Sequence, residues 1–183
     1  MPFSFAAINS RSLMPKIRSL AEVYEEYDLS VCVVTETWLT KEDAHNEALL
    51  RLQTDDGIGN ISFRRPQKRG SRNPGGGVSI TFRTSKINLQ EYKIKRSKYE
   101  LVTAKGKIPG NTRPFYVIGA YMPPSMSKEK ADDCLTHISD ACNKIKTEET
   151  YPYIYIAGDF NLHHLQNAID DYHDIQILHS PPS

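Results

Sequence analysis

Apolar residues fall along this chain in three patterns, and each predicts a different kind of element. Val31-Cys32-Val33-Val34 is an unbroken apolar run, the form taken by strands buried on both faces. Phe3 to Ile8, Arg113 to Met122 and Tyr153 to Ala157 also read as apolar strands. In the second pattern, Leu13, Ile17, Leu20, Val23/Tyr24 and Tyr27 recur at steps of three and four, which predicts an amphipathic helix lying on a sheet. Ala131, Cys134/Leu135, Ile138, Ala141/Cys142 and Ile145 keep the same period, and Ser125 or Ser127 is placed to cap that helix after Pro123-Pro124 stops the strand before it. Lys41 to Leu52 predicts a shorter helix, followed by a polar loop from Thr54 to Asn60. The third pattern is alternation. Val78-Ser79-Ile80-Thr81-Phe82, parts of Ile87 to Ile94, and Leu101 to Lys105 predict antiparallel strands with one wet face, arranged as a meander.

This order places polar residues at particular strand ends. The first strand, helix and second strand form a parallel unit, and such sheets carry ligand groups just beyond the carboxyl ends of their strands. Asn9 and Glu36 are therefore expected side by side despite their separation in sequence. Tyr153 to Ala157 ends at Gly158 and is followed by Asp159, Phe160 and Asn161. Alternation turns Asp159 and Asn161 to one side and Phe160 into the core. A carboxylate there can accept a proton or hold a cation, and a carboxamide can orient a water. Gly, Asp and Asn also make plain turns, and a glutamate at the end of a strand is commonly just a surface carboxylate.

Composition narrows the class. With 183 residues, 39% hydrophobic and 25% charged, the sequence fits a single globular domain over residues 1–183. No apolar run reaches the roughly 18 residues of a membrane helix, and Phe3 to Ile8 is too short for a signal core, so an intracellular protein away from membranes is expected. Cys32, Cys134 and Cys142 have no metal-ligand spacing and read as small buried apolar groups.

The net charge of +1 hides an asymmetry. Between Ile61 and Ala120 stand fourteen lysines and arginines against Glu91 and Glu100, a net +12, which leaves −11 for the two flanks. Such a stretch suits a polyanion, phosphate backbone first, although solvated strands also carry lysine and arginine. Its densest part, Arg64, Arg65, Lys68, Arg69 and Arg72, lies in a loop that ends in Pro74-Gly75-Gly76-Gly77. No Gly-Lys-Ser/Thr follows, so this is not a P-loop.

Taken in order, the strand ends resemble the endonuclease/exonuclease/phosphatase superfamily, and most of all the endonuclease domains of non-LTR (LINE-type) retrotransposons. Ile8-Asn9-Ser10-Arg11-Ser12-Leu13 is similar to the opening motif and Thr35-Glu36-Thr37-Trp38-Leu39 to the metal-binding motif. Gly75-Gly76-Gly77-Val78 matches the glycine turn, Tyr121-Met122-Pro123-Pro124-Ser125 the tyrosine-proline motif, and Gly158-Asp159-Phe160-Asn161 the motif that closes the series. The likeness runs from about Ala6 to the end. It implies a DNase I-like two-sheet α/β sandwich and a Mg²⁺-dependent phosphodiesterase, with Mn²⁺ as a substitute. Glu36, helped by Asn9, would hold the metal; Asp159 would orient or deprotonate water; Asn161 would fix that water; Tyr121 would contact phosphate. DNA is the implied substrate and Arg64, Arg65, Lys68, Arg69 and Arg72 its expected contacts. The product would be a nick with a 3′-hydroxyl, the reverse transcriptase of the same polyprotein the implied partner, and the nucleus the implied place of action. Superfamily members also act on inositol phosphates and sphingomyelin, which keeps a small-molecule phosphatase as a further reading.

The sequence departs from the pattern in one respect. The family ends on a Ser-Asp-His motif, and no Asp-His pair occurs in the 183 residues; Asp171-Tyr172-His173 and His163-His164 lack that form. The expectation is a domain truncated at its C-terminus, short of its last strands: a fragment of a longer reading frame, a decayed element copy or an incomplete gene prediction. A catalytically inactive remnant that at most binds nucleic acid is the alternative to an active nuclease.

Overall fold

The computed structural model describes residues 3–63, 75–94, 97–161 and, for the backbone alone, 175–179. Nine strands among these residues form two sheets. In the first, β1 (Phe5–Asn9), β2 (Val31–Thr35), β3 (Ile58–Phe63) and β4 (Val78–Arg83) run in the order β1-β2-β4-β3. The second holds β5 (Leu89–Glu91), β6 (Glu100–Lys107), β7 (Pro114–Tyr121), β8 (Tyr153–Asp159) and β9 (Ile175–His179) in sequence order. Each sheet is mixed, with β1 parallel to β2 and β8 parallel to both β7 and β9. Helices α1 (Ile17–Glu26) and α2 (Asp43–Asp56) cover the first sheet, and α3 (Lys128–Glu148) covers the second.

Side-chain alternation builds the layers. On β2, Val31 and Val33 meet Phe115, Val117 and Ala157 between the sheets, while Cys32 and Val34 turn to Leu20, Tyr24 and Leu52 under the helices. On β7, Tyr116, Ile118 and Ala120 face Cys134, Ile138 and Ile145 of α3. Fully burying an aliphatic side chain of this kind contributes about 1.5–3 kcal/mol, so the apolar runs are the main stabilising term.

The structure departs from the expected pattern in several places. The middle of the chain is not one meander, because β4 belongs to the first sheet and β5 to the second, and the chain crosses between layers at residues 84–88. Strand β4 has no wet face: Ser79 and Thr81 are buried, because helices cover the side that alternation marks as polar. Thr81 donates to the Cys32 carbonyl (3.0 Å) and so receives the Tyr24 hydroxyl (2.9 Å), which satisfies the buried group. Burial holds the Tyr24 phenol neutral, its pKa well above the usual value. The loop expected over Thr54 to Asn60 shrinks to one residue, since α2 runs to Asp56 and Gly57, at φ 63°, turns the chain straight into β3. Tyr27, expected on the apolar face of α1, is 62% exposed because that helix ends at Glu26. Strand β9 has no counterpart in the expected pattern.

Candidate active site

The registers of both sheets bring the same six positions to one end of the sandwich. Asn9 pairs with Thr35 and Thr35 with Val78 in the first sheet, while Glu100 pairs with Tyr121 and Tyr121 with Asp159 in the second. Beyond these pairs the chain leaves strand geometry. Arg11 (φ 42°), Ser12 (φ 82°), Glu36 (φ 50°), Trp38 (φ 54°) and Asn161 (φ 47°) all adopt left-handed backbone, which costs about 1–3 kcal/mol at a non-glycine residue and persists only where neighbours hold it. They do so here. Ser12 N–H donates to the Glu36 carbonyl (2.8 Å), Leu13 N–H to the Thr37 carbonyl (3.0 Å) and Trp38 N–H to the Gly76 carbonyl (2.8 Å).

Asn9 is the centre of the cluster. Its Nδ2 donates to Glu36 Oε1 and to Asp159 Oδ2, each at 2.9 Å, and its Oδ1 accepts from Arg11 N–H (3.1 Å). The two carboxylate oxygens are thus no further apart than twice the length of those bonds, although Glu36 and Asp159 lie 123 positions apart in sequence. Tyr121 adds a longer contact from its hydroxyl to Glu36 Oε1 (3.4 Å). Among the described residues neither Glu36 nor Asp159 has a cationic partner within ion-pair distance. One amide thus bridges two half-buried carboxyl groups.

That donor set suits a hard divalent cation. Mg²⁺ takes one or two protein carboxylates and fills its remaining positions with water and substrate phosphate. The described residues hold no cluster of three or more acidic, histidine or cysteine side chains. Asn9 presents its N–H groups, not its oxygen, to the two acids.

Gly158 lets the second sheet supply its part. A Cβ at this position (φ 154°) would run into the Ala120 carbonyl, so glycine permits the close approach that sets Asp159 beside Tyr121. Phe160 is buried against α3, as alternation predicts. Asn161 is turned instead. Its left-handed backbone ends the alternation, and its Nδ2 donates to the Met122 carbonyl (2.9 Å) at the end of β7. No described hydrogen bond links it to Asn9, Glu36 or Asp159. Beside Tyr121, Lys98, Tyr99, Glu100, Ser125 and Lys130 line an open cavity of about 280 Å³.

Arg64, Arg65, Lys68, Arg69 and Arg72 lie outside the described residues. Phe63, the last described residue before them, pairs with Val78, which pairs with Thr35 at the end of the sheet that bears Asn9. Four other basic residues of the middle are paired with acids. Arg83 bonds Glu25 (2.7 Å), Lys86 bonds Asp28 (2.6 Å), Lys98 bonds Asp133 (2.8 Å) and Lys105 bonds Glu149. Folding matches charges of the middle with those of the acidic flanks, which a count along the sequence does not see.

Ser10 and Glu100 join the site without having been marked by spacing or motif role. Ser10 Oγ donates to the Thr35 (3.0 Å) and Glu36 (3.1 Å) carbonyls, and Glu100 accepts from Gly77 N–H. Glu100 carried one signal, as one of two acids in a strongly basic stretch.

No family model and no curated protein matches the sequence. Solved structures do match the fold. TDP2 of D. rerio, solved with a single-strand DNA product, superposes with a TM-score of 0.61 at 15% identity, over 91% of this chain and 63% of that one. An AP endonuclease of Archaeoglobus fulgidus gives 0.58 at 15% identity over 96% of this chain and 66% of that one. ANGEL2, a 2′,3′-cyclic phosphatase in complex with adenosine-2′,3′-vanadate, gives 0.58 at 17% over 92% and 57%. The chain therefore spans less than two thirds of each of these proteins. What is shared at such identities is the fold, a two-sheet α/β sandwich of the DNase I-like type.

Proposed function

We propose that this chain is a divalent-metal-dependent phosphodiesterase domain whose substrate is DNA and whose product is a nicked strand, the endonuclease part of a retrotransposon polyprotein that also carries reverse transcriptase. The observation that carries the reading is Asn9, whose single amide nitrogen bonds both Glu36 and Asp159 and so draws a carboxylate from each sheet to one point. Glu36 is the principal ligand for Mg²⁺ or Mn²⁺. When bound, the ion supplies charge neutralisation to the phosphate and the leaving oxygen. Asn9 keeps the two acids in register. Asp159 takes the proton of the attacking water, Tyr121 directs its hydroxyl to a phosphate oxygen, and Asn161 orients groups at the rim beside Met122. The fold is shared by a DNA-bound protein, an AP endonuclease and a 2′,3′-cyclic phosphatase, so it does not by itself choose between nucleic acid and a small phosphate ester. The basic segment from Arg64 to Arg72, which follows Phe63 in sequence, favours nucleic acid.

The test joins metal and cleavage. Calorimetric titration with Mg²⁺ and Mn²⁺ should give binding that Glu36→Gln abolishes while circular dichroism stays unchanged. Equal binding by both proteins removes Glu36 from the site. Plasmid nicking should vanish in Asp159→Ala. Nicking that survives Asp159→Ala would overturn the assignment of the base.

A further inference from the structure

Glu36 stands in a backbone conformation that its own side chain disfavours, so something must hold it there. One side is held by the turn after β1, through Ser12 N–H on the Glu36 carbonyl. The other side is held by the glycine turn before β4. Thr37 N–H donates to the Gly77 carbonyl (3.4 Å) and Trp38 N–H to the Gly76 carbonyl (2.8 Å). That turn is itself left-handed throughout, with Gly75 at φ 53°, Gly76 at 64° and Gly77 at 92°, and a Cβ on Gly77 would overlap the Thr37 hydroxyl. Three consecutive glycines in this state lose much backbone entropy on folding, so the turn needs an anchor. Its anchor comes from the other sheet: Gly77 N–H donates to Glu100 Oε2, at the first residue of β6.

We infer that Glu100 is a positioning residue for Glu36, acting through the Gly76–Gly77 turn and the Thr37 and Trp38 amides. The inference rests on the reading of Glu36 as the metal ligand. Glu100 is 8% exposed, and a carboxylate is costly to bury unless hydrogen bonds compensate it. An N–H bond to a charged acceptor is stronger than one to a neutral acceptor, which suits a group that must hold a strained turn. Glu100 also pairs in register with Tyr121, whose hydroxyl contacts the Glu36 carboxylate. One strand pair of the second sheet thus sets both the backbone and the side chain of a residue in the first.

The protein carries its own probe, because Trp38 is the only tryptophan in the sequence. Its backbone N–H is one of the bonds in question, and its indole Nε1 is buried without a hydrogen-bond partner among the described residues, so its emission reports the turn independently of any activity. Glu100→Met removes the acceptor and keeps the bulk, and circular dichroism checks that the variant is folded. Glu100→Gln keeps a carbonyl acceptor. Thr103→Val, in the same strand, removes a buried hydroxyl remote from the turn and serves as control.

With Glu100→Met, Trp38 emission should move to the red and Mn²⁺ affinity should fall by about 10- to 100-fold, the usual effect of losing a group that orients a ligand. Glu100→Gln should restore both, and Thr103→Val should leave both unchanged. Wild-type emission in folded Glu100→Met overturns the inference. So does a red shift with unaltered Mn²⁺ affinity in a protein whose wild type binds Mn²⁺ through Glu36. Should the wild type show no Glu36-dependent Mn²⁺ binding, the metal reading is what has failed, and the emission of Glu100→Met still decides whether Glu100 holds the turn.

Discussion

Asn9 is the residue on which the cluster turns, because one side chain of its length and polarity satisfies two acids and a backbone amide together. Hydrogen bonds to charged groups contribute about 1.5–3 kcal/mol each, and Asn9→Ala removes two of them at once. Glu36 and Asp159 would then repel without an intermediary. Turnover should fall on the order of 100-fold, the range seen when a donor that stabilises transition-state charge is lost, with substrate KM little changed. A loss confined to KM would instead mark Asn9 as a binding group. Gly158→Ala belongs to a different class of effect, since its methyl would meet the Ala120 backbone, which cannot move aside without parting β7 from β8. A loss of several kcal/mol is expected by analogy with other strained backbone sites, read as a lower urea midpoint. An unchanged midpoint would mean that the close approach of those strands is not required.

The segment between β3 and β4 and the C-terminal end of α3 carry separate electrostatic predictions. If Arg64, Arg65, Lys68 and Arg69 bind DNA, replacing all four with alanine should flatten the dependence of log affinity on log salt by about 0.9 for each phosphate no longer neutralised. The same slope in both proteins would leave those residues as a solvated loop. At the far end of α3, Glu149 accepts from Lys105 and from the Tyr116 hydroxyl (3.1 Å), and these bonds, Lys105 first, hold its carboxyl below the usual range. A depressed carboxylate stabilises the fold above its unfolded pKa and loses that contribution as pH falls through its folded pKa. Glu149→Gln should therefore be less stable than wild type near neutral pH, and in urea titrations the gap should close as pH falls below about 4. A gap that stays constant with pH would show that the mutant has lost packing and not charge.

At the level of the whole molecule, the two sheets share one interior, with Val31, Val33 and Val78 of the first packed against Val102, Val117 and Ala157 of the second. The cysteines sample both outer layers: Cys32 lies on β2 beneath α1 and α2, and Cys134 and Cys142 lie on the buried face of α3. Burial pushes the three thiols up to about 12, about 12 and about 11, so all are neutral and unreactive in the folded state. A maleimide or aromatic disulfide should label all three over one narrow range of urea if the layers unfold together. Labelling of Cys134 and Cys142 well before Cys32 would show that α3 and its sheet separate first.

Periodicity in the sequence was enough to determine most elements, including the apolar runs of β2, β7 and β8 and the buried face of α3, because burial on a strand or helix is written in spacing of two or 3.6 residues. It was enough as well to mark Asn9, Glu36, Tyr121 and Asp159 as polar residues at strand ends. Spacing within a segment does not say which segment lies beside it. Only the tertiary structure decided that β4 and β5 belong to different sheets, that Ser79 and Thr81 face helices and not water, and that Arg83, Lys86, Lys98 and Lys105 meet acids from the flanks. It alone turned Asn161 to the Met122 carbonyl, because that depends on a backbone φ that the residue name does not specify. The bridge from Glu36 through Asn9 to Asp159 joins two sheets across long stretches of chain. Its geometry is set by how the sheets pack, a property of no segment on its own.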